Sequence, residues 1–141
     1  MDVGLVMLVK NEVKSVEAAL APILDQFAEV TVYDTGSTDG TQDLLRERLR
    51  IEPLPASLES AVCGNLASLR NRGFARLKTH WRMTLDADER LAPDGFKQLR
   101  KVRVPNEVGG YSCVGGISWA MAPCSRITNA RCSVRASNIS D

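Results

Sequence analysis

Residues 81–90 read WRMTLDADER, an apolar run that ends in three carboxylates. Apolar side chains recur at every second position, which predicts a buried β-strand with one face in the core. If the extended backbone continues, Asp86 and Asp88 point to the same side. Two like charges this close repel each other unless a cation lies between them or one is protonated. Oxygen ligands suit Mg²⁺ or Mn²⁺, so the segment predicts either a divalent-metal site or a strand that ends in a solvated acidic turn.

Residues 29–41 read EVTVYDTGSTDGT and predict a strand, a turn and the start of a helix. Thr38 or Asp39 can cap this helix, whose body continues as QDLLRERL. Asp34 would then lie at the carboxyl end of a strand and face a helix N-terminus, which is where open α/β sheets bind ligands. Its carboxylate can accept hydrogen bonds from a base or a ribose. The alternative is that Asp34 only caps the connection.

Strands and helices alternate along the first two-thirds of the chain. The apolar patterns predict strands over 3–9, 30–33, 51–54 and 81–85. They predict helices over 13–27, 39–50, 65–78 and 94–101. Repeated β–α alternation predicts an α/β fold, with a mostly parallel sheet and helices on both faces.

Composition is that of an ordinary globular domain, with 141 residues, 44% hydrophobic and 25% charged. A net charge of +1 gives no general attraction for nucleic acid. No apolar stretch is long enough to span a membrane, and Met1-Asp2 leads directly into a strand. A cytoplasmic location is expected, with peripheral contact at the inner face of the membrane left open. No CxxC pair occurs among the cysteines, so neither a zinc site nor a disulfide framework is expected; they are Cys63, Cys113, Cys124 and Cys132.

Four segments occur in a characteristic order, namely VMLVKNE, VYDTGSTDGT, SLRNRGFA and LDADERL. Their order and spacing resemble the signatures of family 2 glycosyltransferases with the GT-A fold, which is Rossmann-like. The resemblance covers residues 3–92. Within the family, the segments DTGSTDGT and LDADERL are most similar to those of bacterial enzymes that build lipopolysaccharide cores. It implies inverting, metal-dependent transfer of a hexose from a UDP-sugar donor to a glycan or lipid-linked glycan acceptor.

The resemblance also implies which residues form the site. The implied nucleotide-binding residues are Val9, Lys10, Glu12, Asp34, Arg70, Asp86 and Ala87. The implied ligands of a divalent ion, Mn²⁺ or Mg²⁺, are Asp86 and Asp88. Glu89 is expected to support the loop and not to bind metal. Arg70 matches the arginine of the family's RN motif, whereas Glu12 could instead be a carboxylate that only complements a helix dipole.

The last third of the chain lacks recognisable motifs. We expect a donor-binding domain over 1–101 and a partial or atypical extension of the same domain over 102–141. The resemblance implies a carboxylate base downstream of the acidic motif, but Glu107 and Asp141 are the only carboxylates after Asp94. The catalytic base is therefore unassigned. We expect the acceptor-binding half to be truncated or altered, and we do not expect these 141 residues to catalyse sugar transfer.

Two other functions remain open on the sequence alone. A non-catalytic remnant would bind nucleotide, or nothing, without transferring sugar. A receiver domain of a signalling pathway would need paired acidic residues after its first strand, where this chain has Lys10-Asn11-Glu12. The phosphate-loop pattern GxxxxGK and the dinucleotide pattern GxGxxG are both absent, which argues against nucleoside triphosphatases and dehydrogenases.

Overall fold

The computed structural model describes residues 2–56, 66–91, 95–99, 110–112 and 118–121. The strands are β1 (Val3–Val9), β2 (Glu29–Asp34), β3 (Leu54–Pro55), β4 (Trp81–Thr84), β5 (Gly110–Ser112) and β6 (Ser118–Met121). The helices are α1 (Val16–Leu20), α2 (Thr41–Glu47), α3 (Leu66–Arg76) and α4 (Gly95–Leu99), with a 3₁₀ turn at Leu24–Gln26. The four cysteines, Asp94, Glu107 and Asp141 lie outside the described residues.

The described strands form one sheet in the order β3-β2-β1-β4-β6-β5. Strand β1 pairs in parallel with β2 on one side and with β4 on the other, and β3 is parallel to β2. Strand β6 is antiparallel to β4, and β5 is antiparallel to β6. The prediction of a mostly parallel α/β sheet is therefore confirmed. Because the chain winds outward from β1 through β3 and returns on the other side as β4, the carboxyl ends of β1 and β4 border a crevice.

Strand β1 is the centre of the fold and is buried on both faces. Leu5 and Met7 are fully buried in a core cluster that also contains Leu20 of α1 and Leu45 of α2. Val6, between them, is also fully buried but packs against α3. The two faces of the sheet are thus covered by different helices, as the alternation predicted.

Helix α3 packs against the sheet through a glycine. A Cβ atom placed on Gly73 would lie 2.5 Å from Cγ1 of Val6 and 3.3 Å from Cε2 of Tyr33. Side chains do not approach each other so closely, so only glycine permits this helix–sheet distance. The close approach holds the first turns of α3 beside the carboxyl end of β1.

The prediction of one helix over 13–27 is wrong. Helix α1 contains only Val16–Leu20, and the chain then turns and forms the 3₁₀ turn at Leu24–Gln26. Helix α1 cannot continue past this point because Pro22 has no N–H group to donate to the helix ladder. Ile23 and Phe27 are nevertheless buried, so the apolar pattern correctly identified the core side chains of this segment.

Helix α2 is also shorter than predicted. Its N-cap residue by position is Gly40, with a φ of 93°. The predicted capping by Asp39 is nevertheless present as a side-chain bond, because Oδ1 of Asp39 accepts the N–H of Thr41, the first residue of α2, at 3.0 Å. The helix ends at Glu47, and three residues later Arg50 adopts a left-handed φ of 57°, which is incompatible with a continued helix. None of the helices in the described part of the chain is both long and apolar enough to cross a bilayer.

Candidate functional site

An open pocket of about 430 Å³ lies at the crevice between the carboxyl ends of β1 and β4. The residues that line it are Leu8, Val9, Lys10, Glu12, Thr35, Leu66, Arg70, Asp86, Ala87 and Asp88. All the residues predicted for nucleotide and metal binding therefore line one pocket, with the exception of Asp34. The sheet explains this convergence, because the ends of neighbouring parallel strands meet at one edge.

Asp34 lies at the end of β2, paired in register with Val9 of β1. Its side chain is buried, with the residue only 3% exposed. The Oδ1 atom accepts hydrogen bonds from the N–H groups of Gly36 and Ser37, both at 2.7 Å. The Oδ2 atom is buried and has no hydrogen-bond partner among the described residues. A buried oxygen of this kind costs stability unless a ligand supplies the donor, so Asp34 is a candidate binding residue.

The acidic segment forms a tight turn. The N–H of Glu89 donates to the carbonyl of Asp86 at 3.0 Å, and the N–H of Asp86 donates to Oε2 of Glu89 at 3.1 Å. The extended backbone therefore stops after β4, and strand alternation does not place Asp86 and Asp88 on one side. The turn brings both to the pocket instead. Glu89 stabilises the turn through this reciprocal pair of bonds.

Arg70 and Asp86 form an ion pair with Nη2 and Oδ1 2.8 Å apart. Their side chains are 30% and 49% exposed, so the pair contributes at most about 1 kcal/mol to folding. The charge of Arg70 nevertheless offsets the electrostatic repulsion expected between Asp86 and Asp88. A basic side chain from α3 supplies a positive charge there, which sequence reasoning had expected from a metal ion or a proton.

A divalent metal fits the donor set of the pocket. No group of three or more acidic, histidine or cysteine side chains with the geometry of a metal site occurs among the described residues. Asp86 and Asp88 are nevertheless two oxygen donors at the pocket wall. Mg²⁺-type ions are commonly held by one or two carboxylates, with substrate phosphates and water completing the shell. The pair therefore suits an ion that arrives together with a diphosphate.

The other predicted residues of the pocket lie on the loop after β1. Lys10 is exposed at the pocket wall. Glu12 also lines the pocket, but its Oε2 atom accepts a hydrogen bond from the hydroxyl of Ser15. Its backbone carbonyl accepts bonds from the N–H groups of Ser15 and Val16, at 3.0 and 2.9 Å. Glu12 therefore organises the entry into α1 in addition to lining the pocket.

Two loops of the site are bonded to each other, which sequence reasoning did not anticipate. The N–H of Asn11 donates to Oγ of Ser37 at 2.9 Å, and the N–H of Thr38 donates to Oδ1 of Asn11 at 2.8 Å. The sequence signal for this loop contact is the asparagine itself. Asn11 has a left-handed φ of 55°, which asparagine tolerates better than most residues.

The same loops are joined further along by Asp39. Its Oδ2 atom accepts from the N–H of Val13 at 3.1 Å, and its Oδ1 atom accepts from the hydroxyl of Thr41 at 2.5 Å. That hydroxyl in turn accepts from the N–H of Glu12 at 2.9 Å. The bond from Thr41 is the main reason why the pKa of Asp39 lies below its ordinary value of 3.8.

The sequence model of Glycosyl transferase family 2 matches residues 5–111, which is more than half of the chain. The chain belongs to glycosyl transferase family 2. Its matched range begins in β1 and includes every element of the pocket, so the family match and the site coincide.

The family 2 chain is 30% identical over 141 aligned residues to the undecaprenyl-phosphate 4-deoxy-4-formamido-L-arabinose transferase of Aeromonas hydrophila. That match covers 90% of this chain and 42% of the relative. The chain thus spans less than half the length of the curated relatives it matches, with 23% for another of them.

Solved structures share the fold of this family 2 chain. A mannosyltransferase from Pyrobaculum calidifontis, solved with GDP-Man and Mn²⁺, aligns with a TM-score of 0.65 at 21% identity, over 84% of this chain and 44% of that one. Glucosyl-3-phosphoglycerate synthase from Mycobacterium tuberculosis, solved with UDP, aligns with a TM-score of 0.62 at 15% identity, over 85% and 56%. At these identities the likeness shows the fold, and the expected GT-A, Rossmann-like architecture is confirmed.

Proposed function

We propose that the pocket binds the nucleotide diphosphate of a sugar donor, and that the chain provides the donor-binding part of a hexosyltransferase. The observation that carries the proposal is that Arg70 of α3 meets Asp86 and Asp88 in one pocket, next to Asp34 at the carboxyl end of the neighbouring strand β2. An unpartnered buried acceptor suits a base, whereas a guanidinium and paired carboxylates suit a diphosphate with its metal.

Asp34 is assigned to the nucleoside. Its Oδ2 atom can accept one hydrogen bond, and the N–H groups of uracil and guanine are suitable donors. The resemblance of the motifs favours a UDP-sugar, and the fold neighbours solved with UDP and with GDP-Man both carry bases of this kind. The adjacent wall of the pocket is formed by Val9, which pairs with Asp34 across β1 and β2, and by Thr35, which follows Asp34 in the chain.

Arg70, Asp86 and Asp88 are assigned to the diphosphate. Asp86 and Asp88 would hold Mn²⁺ or Mg²⁺, which supplies positive charge at the leaving diphosphate. Arg70 lies within bonding distance of Asp86, so its guanidinium remains next to the same phosphates. Lys10, Glu12 and Ala87 complete the nucleotide-binding wall. The chain's own residues thus bind and orient the donor, and Glu89 keeps the acidic turn in shape.

The acceptor is assigned by resemblance alone. Similarity to lipopolysaccharide-core enzymes, and the name of the Aeromonas hydrophila relative, favour a surface glycan or a lipid-linked glycan. A cytoplasmic site with peripheral contact at the inner membrane face agrees with such an acceptor. Inversion at the anomeric carbon needs a base that deprotonates the acceptor hydroxyl, and this base is not assigned to a residue.

Calorimetric titration with UDP, with and without Mn²⁺, tests the donor assignment. We expect binding that strengthens when Mn²⁺ is present. Replacing Asp34 with Ala should weaken it by about 1–3 kcal/mol in either condition, because a buried hydrogen bond is lost. Asp43→Ala is a matched control, since Asp43 is an exposed carboxylate of α2 whose side chain is 76% exposed.

Two results would contradict the proposal. One is the failure of UDP and GDP to bind the wild-type chain at all. The other is equal affinity of wild type and Asp34→Ala for UDP. Weakening of Asp34→Ala only in the presence of Mn²⁺ would move Asp34 from the base site to the metal site.

A further inference from the structure

We propose that Asn11 is a positioning residue for nucleotide recognition, which acts by fixing the turn that holds the Asp34 carboxylate. The inference rests on the proposed function, because it concerns how Asp34 is presented to the base. Asn11 does not line the pocket, so its effect would be exerted through the loop after β2.

The orientation of Asp34 depends on the backbone that follows it. Both bonds to its Oδ1 atom come from consecutive N–H groups, those of Gly36 and Ser37. Gly36 has a φ of 108°, a conformation that any other residue rarely adopts. As long as this turn persists, Oδ1 is saturated and Oδ2 is left as the acceptor for a ligand. A change in the turn would rotate the carboxylate or release it.

Asn11 holds this turn from the neighbouring loop. It donates its N–H to Oγ of Ser37 and accepts the N–H of Thr38 at Oδ1. The hydroxyl of Thr38 lies 3.5 Å from the same oxygen. The two residues bonded by Asn11 are thus the second N–H donor to Asp34 and the residue after it. A short path of hydrogen bonds connects Asn11 to the carboxylate without any contact between them.

The backbone of Asn11 is suited to this role. Its φ of 55° is left-handed, which asparagine, aspartate and glycine accept most readily. Substitution by glycine therefore preserves the backbone and removes the acceptor oxygen. Substitution by aspartate preserves both. This pair of variants separates the side-chain bond to Thr38 from the conformation of the loop.

The test is a double-mutant cycle on UDP binding in the presence of Mn²⁺, read by calorimetry. Asn11→Gly should weaken binding about tenfold, the equivalent of one lost hydrogen bond. In an Asp34→Ala background the same change should weaken it less than about twofold, since neighbours in one network are not additive. Asn11→Asp should stay within about threefold of wild type, because an acceptor remains.

Asp39→Ala is the matched control. It breaks other bonds at the same two loops, which the Asp39 carboxylate accepts from the N–H of Val13 at 3.1 Å and from the N–H and hydroxyl of Thr41, all away from the Asp34 turn. We expect a change in UDP affinity of less than about twofold, because the bonds of Asn11 remain. If Asn11→Gly does not fold, Ser37→Ala removes one of the two cross-loop bonds and goes through the same cycle with the same criteria.

An equal loss on Asn11→Gly in the wild-type and Asp34→Ala backgrounds would overturn the inference. So would wild-type affinity of Asn11→Gly, or a loss in Asp39→Ala as large as that in Asn11→Gly. If Asp34→Ala alone has no effect on binding, the donor assignment itself is wrong and the inference falls with it. The single variants therefore distinguish the two failures.

Discussion

Gly73→Ala should destabilise the protein and displace α3. The added Cβ would lie 2.5 Å from Cγ1 and 2.9 Å from Cγ2 of Val6, whereas ordinary contacts begin at 3.4 Å. Val6 is fully buried on the central strand and β-branched, so it cannot turn away. Overpacking of this kind costs about 1–3 kcal/mol, and three close contacts favour the upper end. The helix propensity of alanine returns about 1 kcal/mol, which leaves a net loss of about 2 kcal/mol.

Urea unfolding of a double-mutant cycle with Val6→Ala measures this loss. Val6→Ala removes both γ-carbons that clash, at its own cost of a buried cavity. In that background Gly73→Ala should be neutral, or stabilising by up to about 1 kcal/mol. Ala75→Gly, at an exposed position of the same helix, measures the propensity contribution alone. An equal loss from Gly73→Ala in both backgrounds would refute the argument from the Val6 contact.

The same cycle has a functional readout. Arg70 lies one helical turn before Gly73, so a shift of α3 changes the distance between its guanidinium and Asp86, which is 2.8 Å in the structure. Mn²⁺-dependent binding of UDP should weaken in Gly73→Ala and recover in the double mutant with Val6→Ala. Recovery of stability without recovery of binding would show that the position of α3 does not control the pocket.

Three further predictions concern charged side chains. Asp88→Ala should abolish the Mn²⁺-dependent part of UDP binding and Asp86→Ala should weaken it while folding persists; calorimetry on the double mutant showing wild-type affinity would exclude both as metal ligands. Arg70→Lys should weaken UDP binding, because an ammonium does not reproduce the planar guanidinium fork; unchanged affinity would place Arg70 outside the donor site. Because the pKa of Asp39 is lowered in the folded state, its carboxylate stabilises the fold above about pH 3.8, and this stabilisation is lost as the pH falls through the folded pKa. Thermal unfolding of Asp39→Asn should therefore lose less stability in acid than thermal unfolding of the wild type.

The parallel part of the sheet was predictable from the sequence because β1 is continuously apolar and β4 has apolar side chains at every second position. Val3–Val9 and Trp81–Thr84 carry enough buried side chains to be identified by pattern alone, and the carboxylates that follow them mark the site edge. The first helix was mispredicted because apolar spacing was weighed without Pro22, which ends regular helix whatever the spacing around it. Side-chain burial was correct there, although the backbone was not.

The contacts within the site were not predictable in the same way. Arg70 and Asp86 are 16 positions apart, and only the packing of α3 on the sheet makes them a pair. The bonds of Asn11 to Ser37 and Thr38 join loops that are 26 and 27 positions apart. Such contacts depend on which strands are neighbours, which a local pattern does not specify. A motif identifies the residues of a site but not the contacts that they make with one another.

The bonds between the two loops also have a consequence for local opening of the protein. The N–H groups of residues 11–13 and 35–38 all have acceptors, which lie in the opposite loop, at the ends of β1 and β2, or on the first residue of α2. Amide hydrogens of most surface loops exchange with solvent in a piecemeal manner. Here any event that separates the two loops must break the bonds that Asn11 and Val13 make to the loop after β2. We therefore expect hydrogen exchange to show the amides of both loops opening as one cooperative unit with a common free energy of opening.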